Sequence, residues 1–157
     1  MLEQVKDPEV PVLSVVELGI VRDASADPDT GGVRVVITPT YSGCPAMHEI
    51  EQDIRTALES SDMAPVHVQT VFSPAWTTDW IGPEARAKLR EFGIAPPGPR
   101  DDEGVELVTL GRRVIPVQCP VCHSHDTRRQ SEFGATACKA IWVCSACGQP
   151  FEEFKPF

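Results

Sequence analysis

Two short cysteine pairs, Cys119-Pro120-Val121-Cys122 and Cys144-Ser145-Ala146-Cys147, limit how this chain can fold more than any other stretch. Two thiolates three residues apart grip one side of a tetrahedral ion, and a second such pair grips the other. The last third therefore reads as a zinc ribbon, a small β unit folded around a structural metal. Four cysteine ligands close the coordination sphere and leave no position open for catalysis. An iron-sulfur centre also takes four cysteines and stays open as the alternative occupant. His123 and His125, beside the first pair, are secondary ligand candidates or else surface groups. Cys138 is a surplus thiol between the pairs. It is either a small buried hydrophobe or, with small residues before it and Lys139 after it, a thiol that a ligand can approach.

The 157 residues suffice for one ordinary domain and a small appendage. No apolar run approaches the ~18 residues of a membrane span. The start, Met1-Leu2-Glu3-Gln4, lacks the basic-then-apolar order of a secretory signal, so a cytoplasmic protein with reduced thiols is expected. Charge is uneven: residues 1–111 carry 8 Lys+Arg and 19 Asp+Glu, net −11, whereas residues 112–157 carry 6 and 4, net +2, which together give −9. A nucleic-acid-binding protein presents a basic face to phosphate, and this chain as a whole repels it. The mildly basic tail is a candidate docking face for an acidic protein partner.

Along the chain, Leu2–Val5 reads as a short helical lead-in stopped before Pro8, and Asp7-Pro8-Glu9-Val10-Pro11 as a rigid turn. Val12–Val21 is rich in β-branched residues, so at least its second half is expected to be a strand running towards Arg22. Asp27–Gly32 is hairpin chemistry, and Val33–Thr38 returns as a strand. Met47, Ile50, Ile54, Ala57 and Leu58 mark one face of a helix that frays near Ser60-Ser61-Asp62. His67–Phe72 alternates as a third strand. Trp76 and Trp80 lie in a loop, as partner anchors or as a cover for the core. Pro83–Phe92 reads as a helix ended by Gly93. The Pro/Gly/acidic stretch 96–104 reads as a linker between a domain of residues 1–95 and a ribbon of residues 105–157, with strand material over Val105–Val117 and Lys139–Val143. The expected fold class is α/β (α+β): a three- to four-stranded sheet packed by helices, followed by the ribbon.

Cys44 is the sharpest chemical candidate in the first part. Pro45 suits a first helical turn, which places Cys44 at or near a helix N-cap, where backbone N–H groups and the helix dipole favour a thiolate. Such a thiol can be a nucleophile, a ligand to a transferable metal or cluster, or simply a packed residue. His48 lies one turn along and is a secondary candidate to face it. No acid completes a nucleophilic triad, and there is neither a glycine-rich phosphate loop nor a carboxylate pair spaced for acid–base work. Independent enzymatic activity is not expected.

Asp7-Pro8-Glu9-Val10-Pro11, then Glu17-Leu18-Gly19-Ile20-Val21, then Gly43-Cys44-Pro45 form an ordered set. It resembles the signature of the small α/β domain of SufT-type iron-sulfur assembly factors, over residues 1–95. The whole chain resembles the PaaD (PaaJ) family of aerobic phenylacetate degradation. This is strongest in Trp76-Thr77-Thr78-Asp79-Trp80-Ile81, in Leu89–Pro97 and in Phe133–Ala140. The resemblance implies an accessory component of the phenylacetyl-CoA ring epoxidase, a diiron monooxygenase whose reductase carries an iron-sulfur cluster. The family's role is metal-centre assembly or maturation, and the chain accordingly lacks the Glu-x-x-His pairs of a diiron protein. On this reading Cys44, with Cys138, handles iron or a cluster in transit, while Cys119, Cys122, Cys144 and Cys147 hold zinc. The alternative is a docking subunit with a purely structural zinc site. Expected partners are epoxidase components including the reductase, with a homodimer left open and neither nucleic acid nor membrane.

Overall fold

An apolar residue at every fourth position, Ile50, Ile54 and Leu58, forms the buried stripe of α1 (Met47–Glu59) in the computed structural model, which describes residues 1–98 and 115–157. The helix begins two residues later than Pro45 suggested: its N-cap is Ala46, and Pro45 lies outside it. Ahead of it, β1 (Val21–Ala26) and β2 (Val33–Ile37) pair antiparallel through a turn closed by the Asp27 N–H on the Gly32 carbonyl at 2.8 Å. After α1 the chain enters β3 (Val66–Thr70), parallel to β2, as a connection between parallel neighbours requires a crossover. The sheet order is β1-β2-β3. Val35 and Ile37 of β2 are fully buried, as are Ile50 and Ile54 of α1.

The strand expected over the second half of Val12–Val21 begins only at Val21. Residues 14–19 instead make one helical turn, Leu18 N–H to Ser14 carbonyl at 3.0 Å, followed by Gly19 at φ +70°. A reciprocal cap overrides the β-branched residues: the Ser14 N–H donates to Glu17 Oε2 at 2.8 Å, and the Glu17 N–H donates to Ser14 Oγ at 3.1 Å. Glu17 also pairs with Lys88 and, at 3.8 Å, with Lys6. Burial opposes its ionisation, yet Lys88 and the Ser14 donors outweigh burial and hold its carboxyl at about 2.

The tryptophan loop covers this turn. Buried Trp76 donates its indole N–H to the Leu18 carbonyl at 2.9 Å. Trp80 packs so near Gly19 that a Cβ there would sit 2.9 Å from its Cβ. The Arg22 guanidinium lies 3.5 Å from the Trp80 ring centroid, at a bulge in the β1–β2 pairing that re-aims Arg22.

By contacts the chain forms two compact units, Met1–Lys88 and Leu89–Phe157, with α2 (Pro83–Glu91) carrying it from one into the other. The second unit holds β4 (Ile94–Ala95), β5 (Thr127–Ser131), β6 (Lys139–Cys144) and β7 (Pro150–Phe154), in the sheet order β4-β7-β6-β5. Ala95, Ala140, Trp142, Phe151, Cys119 and Cys144 form its apolar cluster, with Val117 against it. Trp142 donates to Glu153 at 2.6 Å, and burial pushes that carboxyl up against the opposing pull of Trp142, Arg129 and Lys155. The expected linker from residue 99 onwards and the expected strand over 105–114 lie outside the described residues; residues 115–117 are not strand.

The Glu17 carboxylate and the tight contact at Gly32 can each be tested. Glu17→Gln lowers the melting temperature at pH 7. Because the depressed carboxyl stabilises the fold only while ionised, the gap from wild type narrows as pH falls from about 5 towards 2, read by thermal melts across that range. A Cβ at Gly32 would lie 1.9 Å from the Pro65 carbonyl oxygen, which itself accepts the Val33 N–H. Gly32→Ala therefore costs about 1–3 kcal/mol in urea unfolding.

Candidate functional site

The two cysteine pairs fold as the same turn made twice. The His123 N–H donates to the Cys119 carbonyl at 3.0 Å and the Cys119 N–H to the Ser124 carbonyl at 2.9 Å. In the second pair the Gly148 N–H donates to the Cys144 carbonyl at 2.9 Å, and the Cys144 N–H to the Gln149 carbonyl at 3.0 Å. Each turn ends in a left-handed residue, His123 at φ +62° and Gly148 at φ +76°. His123 thus occupies the backbone position that glycine fills in the other turn. Both His123 and His125 are exposed, and neither joins the sulfur cluster.

All four sulfurs lie within 4.8 Å of one another, with Cys122 and Cys144 at 3.5 Å and Cys119 and Cys147 at 3.9 Å. A tetrahedron of thiolates with metal–sulfur bonds of about 2.3 Å has edges of about 3.8 Å, so the donor set and its spacing suit a single ion. A cluster would interpose bridging sulfides between irons and spread the thiolates further. Four thiolates at this spacing repel one another. At Cys144 the Cys147 N–H outweighs burial and brings the thiol down to about 7. At Cys122 the Ser124 N–H also favours the thiolate, yet the neighbouring Cys147, burial and the other thiols push the group up to about 12. A dication would reverse that repulsion and release the protons.

Cys44 belongs to the first unit and has different surroundings. It is half-buried on the Tyr41–Cys44 turn, whose Cys44 N–H donates to the Tyr41 carbonyl at 3.1 Å. The expectation of a thiolate there is reversed: burial raises the thiol, and the carboxylates of Glu9 and Asp7 add to that, against hydrogen bonds from the Ala46 N–H and the Thr40 side chain. Asp7 is buried, and its Oδ1 accepts the N–H groups of Glu9 at 2.8 Å and Val10 at 2.7 Å, which fixes the turn that carries Glu9. In the sequence the two acids stand only as parts of a turn and a motif. Their shared Asp-Pro-Glu frame, in the same ordered set as Gly43-Cys44-Pro45, was the signal for a joint site.

The other candidates fall elsewhere. His48 is exposed, with its Nε2 at 3.0 Å from the Gln52 amide, so it does not serve Cys44 by that contact. Cys138 is buried, with its sulfur 3.0 Å from Thr136 Oγ1, and Lys139 is engaged by Glu152 at 2.9 Å. Trp76 is core, while Trp80 is half-buried beneath Arg22. No helix among the described residues is long and apolar enough to cross a membrane.

Comparison with known proteins finds a different family at each end of the chain. Residues 1–71 match the family described as iron-sulfur cluster assembly protein, and residues 105–155 match the PaaD zinc beta ribbon domain. Over 99% of its length and 88% of the relative, the chain is 43% identical to an Escherichia coli protein named as a putative subunit of 1,2-phenylacetyl-CoA epoxidase. It is also 37% identical to an Fe-S protein maturation auxiliary factor of Porphyromonas gingivalis, over 57% of this chain and 84% of that one. Among solved structures, a domain of unknown function from Bacillus anthracis is similar with a TM-score of 0.52 at 30% identity, covering 56% of this chain and 83% of that domain.

The environment of Cys44 sets its reactivity. Alkylation of Cys44, followed by peptide mass, is expected to rise with pH through a midpoint above the ordinary thiol value of about 8.5. Glu9→Gln removes a like charge and lowers that midpoint. An unchanged midpoint in Glu9→Gln would remove the carboxylate from the account.

Proposed function

The chain belongs to the PaaD family of phenylacetyl-CoA epoxidase subunits, and from that premise we propose that it is a cytoplasmic accessory protein of such an epoxidase, assembling or maturing an iron-sulfur cluster or metal centre of that system. It performs no catalysis of its own. Its partners are epoxidase components, foremost the iron-sulfur reductase. The observation that carries the reading is Cys44, a half-buried thiol grouped with Glu9, Asp7 and Thr40 on a unit that matches iron-sulfur assembly proteins, apart from the closed four-cysteine centre.

The chemistry follows from that grouping. A soft sulfur with hard carboxylates accommodates iron without enclosing it, and a cargo must be able to leave. With no cation present, burial and the two acids keep Cys44 protonated. An arriving iron ion or cluster neutralises the acids and displaces the proton, so the thiolate forms only when there is cargo to hold. The ribbon residues Cys119, Cys122, Cys144 and Cys147 would hold a single zinc ion, which supplies shape and no reaction. Cys138 is buried beside Thr136 and would join Cys44 in transfer only where that burial is relieved.

Cys44→Ser is expected to leave the fold and the zinc content unchanged while the co-produced reductase acquires several-fold fewer clusters. Wild-type cluster occupancy in the reductase would reject the transfer role. If the chain then still bound the epoxidase stoichiometrically, a docking role would take its place. Metal analysis of anaerobically purified protein is expected to find one zinc per chain and no visible absorption; iron with sulfide at the ribbon would refute the single-ion assignment.

A further inference from the structure

The four ribbon cysteines are not equivalent. Cys122 and Cys147 are exposed, and Cys119 and Cys144 are buried. The two close sulfur contacts each cross between the turns, and each joins one exposed sulfur to one buried sulfur: Cys122 to Cys144 at 3.5 Å and Cys147 to Cys119 at 3.9 Å. An oxidant from solvent therefore meets one member of each pair, and its partner stands behind it at contact distance. This is the arrangement of an attacking thiol and a resolving thiol, present twice.

We infer that the four-cysteine centre is opened by hydrogen peroxide through two disulfides, Cys122–Cys144 and Cys119–Cys147, with release of its metal ion. In each pair the exposed thiolate attacks the O–O bond, becoming a sulfenic acid as hydroxide departs. The buried thiolate then attacks the sulfenic sulfur, forms the S–S bond and displaces the second oxygen as hydroxide. Two protons from solvent complete two waters, so each disulfide gives two electrons to one peroxide. The ion keeps its charge and leaves hydrated, since a disulfide sulfur has no thiolate charge to offer it. Because Cys119 and Cys144 also belong to the apolar cluster around Trp142 and Phe151, oxidation reaches the centre of the second unit. A thiol reductant with fresh zinc reverses the change.

The test uses the zinc-loaded full chain and hydrogen peroxide, with zinc release followed by a chromogenic chelator and the linked peptides sequenced by fragmentation mass spectrometry without reduction. Two equivalents of peroxide per chain are expected to free the zinc, with Cys122–Cys144 and Cys119–Cys147 as the bonds found, and with Cys138 still a thiol. Bonds within a turn, Cys119–Cys122 or Cys144–Cys147, would overturn the proposal. So would zinc retained while Cys44 is oxidised, or sulfinic acids in place of disulfides. None of these outcomes depends on the cargo role of Cys44.

Discussion

Four sulfur atoms within 4.8 Å of one another cannot all be thiolates unless a cation lies among them, and the second unit is organised by that requirement. Two members of its apolar cluster, Cys119 and Cys144, are themselves part of the sulfur set, so metal binding and packing are joined in the same residues. The first unit is held by packing: its sheet, its helix stripe and the capped turn at Ser14–Glu17 bury Leu, Val and Ile side chains.

The two units therefore use cysteine in opposite ways. In the ribbon, backbone N–H groups and neighbouring thiols prepare a closed set of ligands that only a cation satisfies. At Cys44, burial and acids from a distant turn keep one thiol neutral and half-accessible. While its thiols are reduced a closed set retains what it binds, and an open one can exchange it. Joining them in one chain separates the ion that shapes the protein from the ion the protein would pass on.

Features fixed by local chemistry were legible in the sequence. The Cys-x-x-Cys spacing sets ligand geometry within four residues, and the spacing of Ile50, Ile54 and Leu58 sets the buried face of α1. Features that depend on distant partners were not. The β-branched run Val12–Val21 suggested a strand, while the local Ser14–Glu17 cap made a turn that is then covered by Trp76 and Trp80 from far along the chain. The surroundings of Cys44 reverse its expected ionisation because Glu9 and Asp7 reach it only in the fold. The two-residue β4 is too short to carry any periodic signal, and its partner β7 follows far along the chain.

That short strand ties the two ends of the second unit together. Ile94 and Ala95 pair with Glu152 and Glu153, and Ala95 shares a cluster with Cys119. The sheet is thus closed by residues from the start and the finish of the unit, β4 beside β7. A truncation that removed β4 would leave β7 as an edge strand, with backbone N–H and carbonyl groups open to a foreign chain.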